Sequence, residues 1–148
     1  MKTIFDKTTR DELIDRINML SENSTAQWGK MNVCQMVKHN RFWVEMILGR
    51  RKCKRVFFGR LIGRMALKGS VNDDKPMMRN AVSSPELIVK ENNIDLLSEK
   101  VRWIALIEET AHFSNPEFVH PFFGKMTKEQ LGIHAYKHTD HHLRQFNC

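Results

Sequence analysis

Four stretches of this chain carry apolar residues at intervals of three and four, and the period of two that marks a strand is scarce. The run Ile94 to Phe113 contains no glycine or proline and places Leu97, Val101, Ile104, Ile107 and Ala111 at helical spacing, before Asn115-Pro116 ends it. A helix over 9–21 is predicted from the capping-box pattern Thr9-x-x-Glu12 followed by Leu13, Ile14, Ile17 and Leu20. Asn32 caps a second helix that runs to about Leu48, with Gly49 as its stop. Its inner stripe is Val33, Met36, Val37, Val44 and Ile47, interrupted by Asn40, with His39 beside it on the line Met36, His39, Trp43, Met46. The last helix spans Lys128 to Gln145 behind the capping box Thr127-x-x-Gln130. Val56 to Leu67 reads as a short amphipathic helix weakened by Gly59 and Gly63, and Gly59-x-x-x-Gly63 needs no functional meaning outside a membrane. Residues 70–93 form a long crossover with a few extended residues around Leu87-Ile88-Val89, and Phe118 to Gly124 is an aromatic loop packed on the helices. These signals imply an all-α chain, a four-helix bundle with a long connection between the second and third main helices, built as a single domain over 1–148.

Charge bears on partners. The net charge is +7, yet eight Lys or Arg and no acid fall between Gly49 and Val71, so the excess is local to one segment. Three cysteines, Cys34, Cys53 and Cys148, form no CxxC pair and leave at least one thiol free, which fits a reducing cytoplasm. The N-terminus carries no apolar signal region, and no segment approaches the ~20 apolar residues that cross a bilayer. A cytoplasmic protein without a membrane partner is the expectation.

Four of the seven histidines fall within the nine residues His134 to His142. On a helix, residues four apart lie one above the other, so His134 with His138, and His138 with His142, form stacked pairs able to grip one divalent ion. Leu131, Ala135, His138, His142 and Phe146 share the more apolar stripe, and Thr127, His134 and His141 the more polar one. The apolar stripe faces the core. His138 and His142 are therefore the candidate metal ligands, with His134 and His141 nearer solvent and His39 on the facing helix as the third ligand. The competing reading is a set of satisfied or exposed histidines, since an HxxxH pair also arises by chance and a lone buried histidine is more often structural. Thr139 follows His138, so this is not the zinc-protease helix motif.

The pattern Met-Val-Lys-His39, followed far downstream by His138-Thr-Asp-His141-His142-Leu-Arg-Gln-Phe, resembles the DinB-like (YfiT-like) superfamily of four-helix bundles. Within it, the chain is similar to a DinB-related branch sharing the segments Gln27-Trp-Gly-Lys-Met31 and Phe118-Val-His-Pro-Phe-Phe-Gly-Lys-Met126. The resemblance covers nearly the whole chain. It implies a metal triad of one histidine on the second main helix and two, four apart, on the last, which map onto His39, His138 and His142. It also implies metalloenzyme chemistry, which in characterised members includes transfer and isomerisation with bacillithiol or mycothiol.

Three neutral imidazoles leave an open position on Zn²⁺, and more on Ni²⁺, Fe²⁺ or Mn²⁺. Such a centre makes water or a thiol nucleophilic at neutral pH. A metal-dependent hydrolase or a thiol-dependent S-transferase acting on a small molecule, with a low-molecular-weight thiol as co-reactant in the second case, is the expected activity. Asp140, Glu108, Asn40 and Gln145 are candidates for orienting a ligand or moving a proton. Cys34 and Cys53 are poor nucleophile candidates, with no His or Asp beside them in sequence. The alternative is a non-catalytic helical protein, structural or dimerising, or one binding anions or nucleic acid through the basic segment 50–68 with Phe57 and Phe58 for stacking. Nucleic acid is the less expected partner, because a solvated face or a small anion accounts for the charge equally well. A homodimer is compatible with everything above.

Overall fold

Side-chain caps decide where three of the helices begin. The computed structural model describes all of residues 1–148 and contains five α-helices: α1 (Lys7–Met19), α2 (Val33–Ile47), α3 (Phe57–Val71), α4 (Leu96–Glu109) and α5 (Lys128–Gln145). A two-stranded antiparallel hairpin, β1 (Val119–His120) with β2 (Gly124–Lys125), is the only sheet. At the start of α2, Gln35 N–H donates to the Asn32 side chain at 2.9 Å, and the Gln35 side chain accepts from Asn32 N–H at 3.1 Å. Thr127 and Gln130 make the same reciprocal pair at α5, and Asp95 accepts from Ser98 N–H at α4. Each cap satisfies donors that the first helical turn leaves free. The box expected at Thr9 and Glu12 does not form. Helix α1 starts two residues earlier, behind Asp6; Thr9 is buried inside it and Glu12 pairs with Lys2. Gly49, at φ +78°, ends α2 as expected.

Helix α4 lies against α1 and α2, and α5 lies against α1, α2 and α3. Leu13, Ile17, Met36, Val37, Val44, Ile47, Trp103, Ile107, Leu131 and Leu143 meet in the middle. Each such side chain contributes about 1.5–3 kcal/mol when fully removed from water. The inner stripe of α4 differs from the expected one. Leu97 and Val101 are exposed, whereas Leu96, Trp103, Leu106 and Ile107 are buried, with Glu99 among them. A carboxylate in a buried stripe argues against that stripe on sequence grounds. Here Arg41 of α2 pairs with Glu99 and Glu45, which meets the burial cost that an unpaired charge would carry. No helix is long and apolar enough to cross a membrane.

Helix α3 runs a full 15 residues despite its two glycines. Their role is contact. A Cβ on Gly59 would sit 2.4 Å from the Phe122 carbonyl oxygen, and one on Gly63 would sit 2.2 Å from it. The helix therefore rests directly on backbone, and the Gly59-x-x-x-Gly63 spacing, which needs no functional meaning, is its structural seat. The opposing backbone is held rigid in turn. His120 Nδ1 accepts from the N–H groups of Phe122 and Phe123, both at 3.2 Å. Arg55 donates to the His120 carbonyl at 2.8 Å, and Val56 N–H to the Pro121 carbonyl at 3.0 Å. The C-terminal end of α3 is fastened by Lys137 of α5, whose ammonium donates to the carbonyls of Ser70 (2.7 Å) and Asp73 (3.0 Å). In the crossover, Pro85–Leu87 form a 3₁₀ turn, so of the residues expected to be extended Leu87 is not, whereas Ile88 is; the proline stands at the start of the turn, where its fixed φ fits.

A Gly63→Ala substitution tests this seating. Helix propensity alone favours Ala by about 1 kcal/mol. The clash with backbone should reverse the sign and cost about 1–3 kcal/mol, read as a lower urea midpoint. A rise in the midpoint would mean that α3 does not rest on residues 122–123.

Candidate metal centre

Two helices bring three imidazoles together. His39 sits midway along α2, and His138 and His142 lie one turn apart on the facing side of α5. Their ring centroids are separated by 5.4 Å (39 to 138), 4.9 Å (39 to 142) and 4.8 Å (138 to 142). One nitrogen from each lies within 4.8 Å of the others, all three side chains are buried, and the group could hold a metal ion. This is the convergence that the helix spacing predicts.

The tautomers follow from the partners. His39 Nδ1 lies 2.9 Å from the Leu87 carbonyl oxygen. A carbonyl only accepts, so Nδ1 carries the proton and the lone pair is on Nε2. His142 is fixed through Gln145. Gln145 Nε2 donates to the Trp28 carbonyl at 2.7 Å, which turns the amide oxygen toward His142. That oxygen accepts from His142 Nδ1 at 2.9 Å, again leaving the Nε2 lone pair free. His138 is held flat against the Trp43 ring, centroids 4.4 Å apart and planes 12° from parallel. Its Nδ1 is buried with no hydrogen-bond partner. Two lone pairs released by outer hydrogen bonds, beside a third imidazole with an unsatisfied nitrogen, form a donor set that fits a divalent cation.

Burial keeps these rings neutral. Desolvation, then the neighbouring His39, pushes His142 down to about 3. Desolvation also holds His39 below its ordinary range, opposed by the Leu87 hydrogen bond. His138 falls well below 6.5 through burial and the adjacent His142 and His39. Neutral imidazole is the form that binds metal.

His134 is not near solvent. It is almost fully buried, with its ring between Trp43, His120 and Phe123 and its Nδ1 3.4 Å from the Ser70 hydroxyl. The expected polar stripe of α5 is covered by α3 and the hairpin loop, elements that lie outside a simple set of four packed helices. His141 is partly exposed beside Trp28, as anticipated. Of the four outer-shell candidates, Gln145 orients His142. Asp140 instead lies between Arg16 and Arg144, each at 2.8 Å. Glu108 faces Arg10, and Asn40 donates to the Met36 carbonyl. Cys34 and Cys53 are partly buried, which raises both thiols.

Two contributors lay outside the sequence reading. The Leu87 carbonyl is backbone and carries no residue signature. Trp43 did carry one: it lies four residues after His39 on the same helix line. The loop at Gln27 to Gly29 is the third support. Gln27 N–H donates to the Gln145 carbonyl at 2.7 Å, and Gly29, at φ +82°, would place a Cβ 2.6 Å from Gln145 Nε2. A surface depression of about 360 Å³ beside Thr3, Phe5, Lys128 and Ile133 lies toward the other end of α5, roughly 8–15 Å along its axis from His138, and takes no part in this centre.

A family model described as a protein of unknown function (DUF1569) matches residues 3–148. No curated protein and no solved structure matches the chain.

The outer hydrogen bonds make a measurable difference. Gln145→Ala, which removes the acceptor for His142 Nδ1–H, should weaken Zn²⁺ binding about 10–100-fold by titration calorimetry. Acid should unfold the metal-free protein. His120 and His142 are pushed down to about 3 and His134 to about 4 by burial. Below pH 6.5 the unfolded chain takes up protons at these positions while the native state does not. Stability is therefore full above 6.5 and falls toward pH 4 by about 1.4 kcal/mol per unit for each histidine. Urea midpoints from pH 7.5 to 4.5 read the slope, and a flat profile would contradict neutral burial.

Proposed function

From membership of the DUF1569 family, to which this chain belongs, no activity follows, and we propose one from the site: a metal-dependent enzyme with His39, His138 and His142 as ligands. The single observation that carries this reading is the buried histidine trio whose outer nitrogens, at His39 and His142, are already engaged by Leu87 and Gln145. A merely structural trio would have no need to aim lone pairs at one another. In the same reading, α1, α2, α4 and α5 constitute a four-helix bundle of DinB-like type in one cytoplasmic domain, with α3 carried in the long connection from α2 to α4. The mutual packing of α1 and α2 with α4 and α5 supports it.

A divalent ion such as Zn²⁺, Ni²⁺, Fe²⁺ or Mn²⁺, when bound, supplies Lewis acidity that makes water or a low-molecular-weight thiol nucleophilic at neutral pH. The chain's own residues do the rest. His39 and His142 present fixed tautomers, so no proton need leave them on binding. Trp43 excludes water from one face of His138 and fixes its ring plane. Gln145 couples the orientation of His142 to the loop at Trp28. The reaction class is hydrolysis of a small electrophile or transfer of a thiol to it.

Protein purified without a histidine tag should carry close to one equivalent of divalent metal by plasma mass spectrometry. His138→Ala and His142→Ala should each lose it while keeping the helical circular dichroism. Thiol addition to a model epoxide or hydrolysis of a model ester should follow metal content. Protein that is metal-free as purified and takes up neither Zn²⁺ nor Ni²⁺ would show that the cluster is only a packing feature.

A further inference from the structure

Helix α3 is amphipathic in the unusual sense. Its glycine side faces the protein, and its large apolar side chains face outward. Thirteen large hydrophobic side chains are exposed in the whole chain, and five of them, Phe57, Phe58, Leu61, Ile62 and Met65, lie within nine residues of this helix. Single exposed apolar residues are ordinary, but a contiguous cluster marks a contact surface. Leu61 and Met65 are 70% and 72% exposed, so neither contributes to the core. Phe58, Leu61, Ile62 and Met65 follow one another at steps of three, one and three, on one helix face. Arg60, Arg64 and Lys68 run beside them at steps of four.

The charge on this segment is uncommitted. Of the eight basic residues between Gly49 and Val71, Arg50 pairs with Glu109 and Arg51 with Glu45, and Arg55 donates to a carbonyl. Lys52, Lys54, Arg60, Arg64 and Lys68 are exposed and have no carboxylate partner. We propose that the outer face of α3 is a docking surface for an anionic lipid membrane, with Phe58, Leu61, Ile62 and Met65 entering the interface and Arg60, Arg64 and Lys68 contacting headgroups.

Charge complementarity selects this occupant. A second copy stacked on the same face would bring two sets of arginines and lysines together, with no acid in either segment to separate them. Nucleic acid would satisfy the charges but leave Leu61, Ile62 and Met65, which neither stack nor hydrogen-bond, against a polar backbone. An anionic bilayer satisfies both halves at once: acyl chains take the apolar face, and the long basic side chains reach the headgroups. The absence of a spanning segment, from which no membrane partner was expected, has no bearing on a helix lying in the interface plane. Residues 122–123, on which Gly59 and Gly63 rest, form a firm backing for such a helix.

Sedimentation with vesicles of phosphatidylcholine and phosphatidylglycerol in equal parts, beside phosphatidylcholine alone, tests the proposal on the full chain. Binding to the mixed vesicles only, weakened by salt, is expected. A Leu61→Asp, Met65→Asp pair, at exposed positions, should lower it tenfold or more. An Arg60→Gln, Arg64→Gln, Lys68→Gln triple should lower it on the order of 100-fold, from a factor of about five for each basic group near the surface. In a Phe58→Trp variant, emission should shift to the blue on mixed vesicles. No binding by the parent, or binding that the Leu61, Met65 pair does not alter, would overturn the proposal. So would a dimer in sedimentation equilibrium that the same pair dissociates, or salt-sensitive binding to an oligonucleotide that displaces the vesicles.

Discussion

The centre of this molecule depends on keeping imidazole neutral in a dry interior. A charged histidine between α2 and α5 would have no carboxylate to meet, since Asp140, the nearest acid in sequence, is engaged by Arg16 and Arg144. Three rings that each bring a nitrogen within 4.8 Å of the others would repel if protonated, and burial removes that option. The remaining requirement is direction. A neutral imidazole has one donor and one acceptor, and the protein binds the donor of His39 and of His142 from outside the cluster. What is left inside is a set of lone pairs sharing one small space.

Helix α5 meets that requirement from a sequence that reads as polar. It buries His134, Lys137, His138, Thr139, Asp140, His142 and Gln145 along with its leucines. Most of these groups have a dedicated partner: Lys137 in the carbonyls at the end of α3, Asp140 in two arginines, Gln145 in the carbonyl of Trp28. Surrounding the helix on several sides is possible only because each of these charges or dipoles is answered locally. The Thr139 hydroxyl and His138 Nδ1 have no partner, and the second of these belongs to the trio.

Periodicity and caps located all five helices to within a few residues, with Thr127 and Asn32 marking the starts of two of them correctly. The histidine spacing picked out the trio because α5 is a regular helix and His39 lies near the middle of another. What failed has physical causes. The stripe expected on α4 is displaced because the face that is buried carries Glu99, and only Arg41, from another helix, makes that carboxylate tolerable there. Thr9 looked like a cap because its pattern with Glu12 is right, but Lys2 and the core claim the two side chains. His134 was placed near water because the cover over it comes from α3 and a hairpin distant in sequence. Glycines in α3 read as weakness because propensity counts the helix alone and not the backbone pressed against it. Lone-pair direction depends on carbonyls, and a carbonyl is the same in every residue.

One of those carbonyls belongs to Leu87, in the stretch between α3 and α4 whose only helical feature is a single 3₁₀ turn. Regular helices fix the positions of all three imidazoles, yet the tautomer of one is fixed by a connecting strap. A substitution at Pro85 or Leu87, far from the histidines in sequence and contributing no ligand, can therefore turn the His39 ring and switch which nitrogen is free. Loops of this kind ordinarily tolerate drift. In this molecule part of the strap is bound by the stereochemistry of the cluster it fastens, and its freedom to vary ends at that one peptide group.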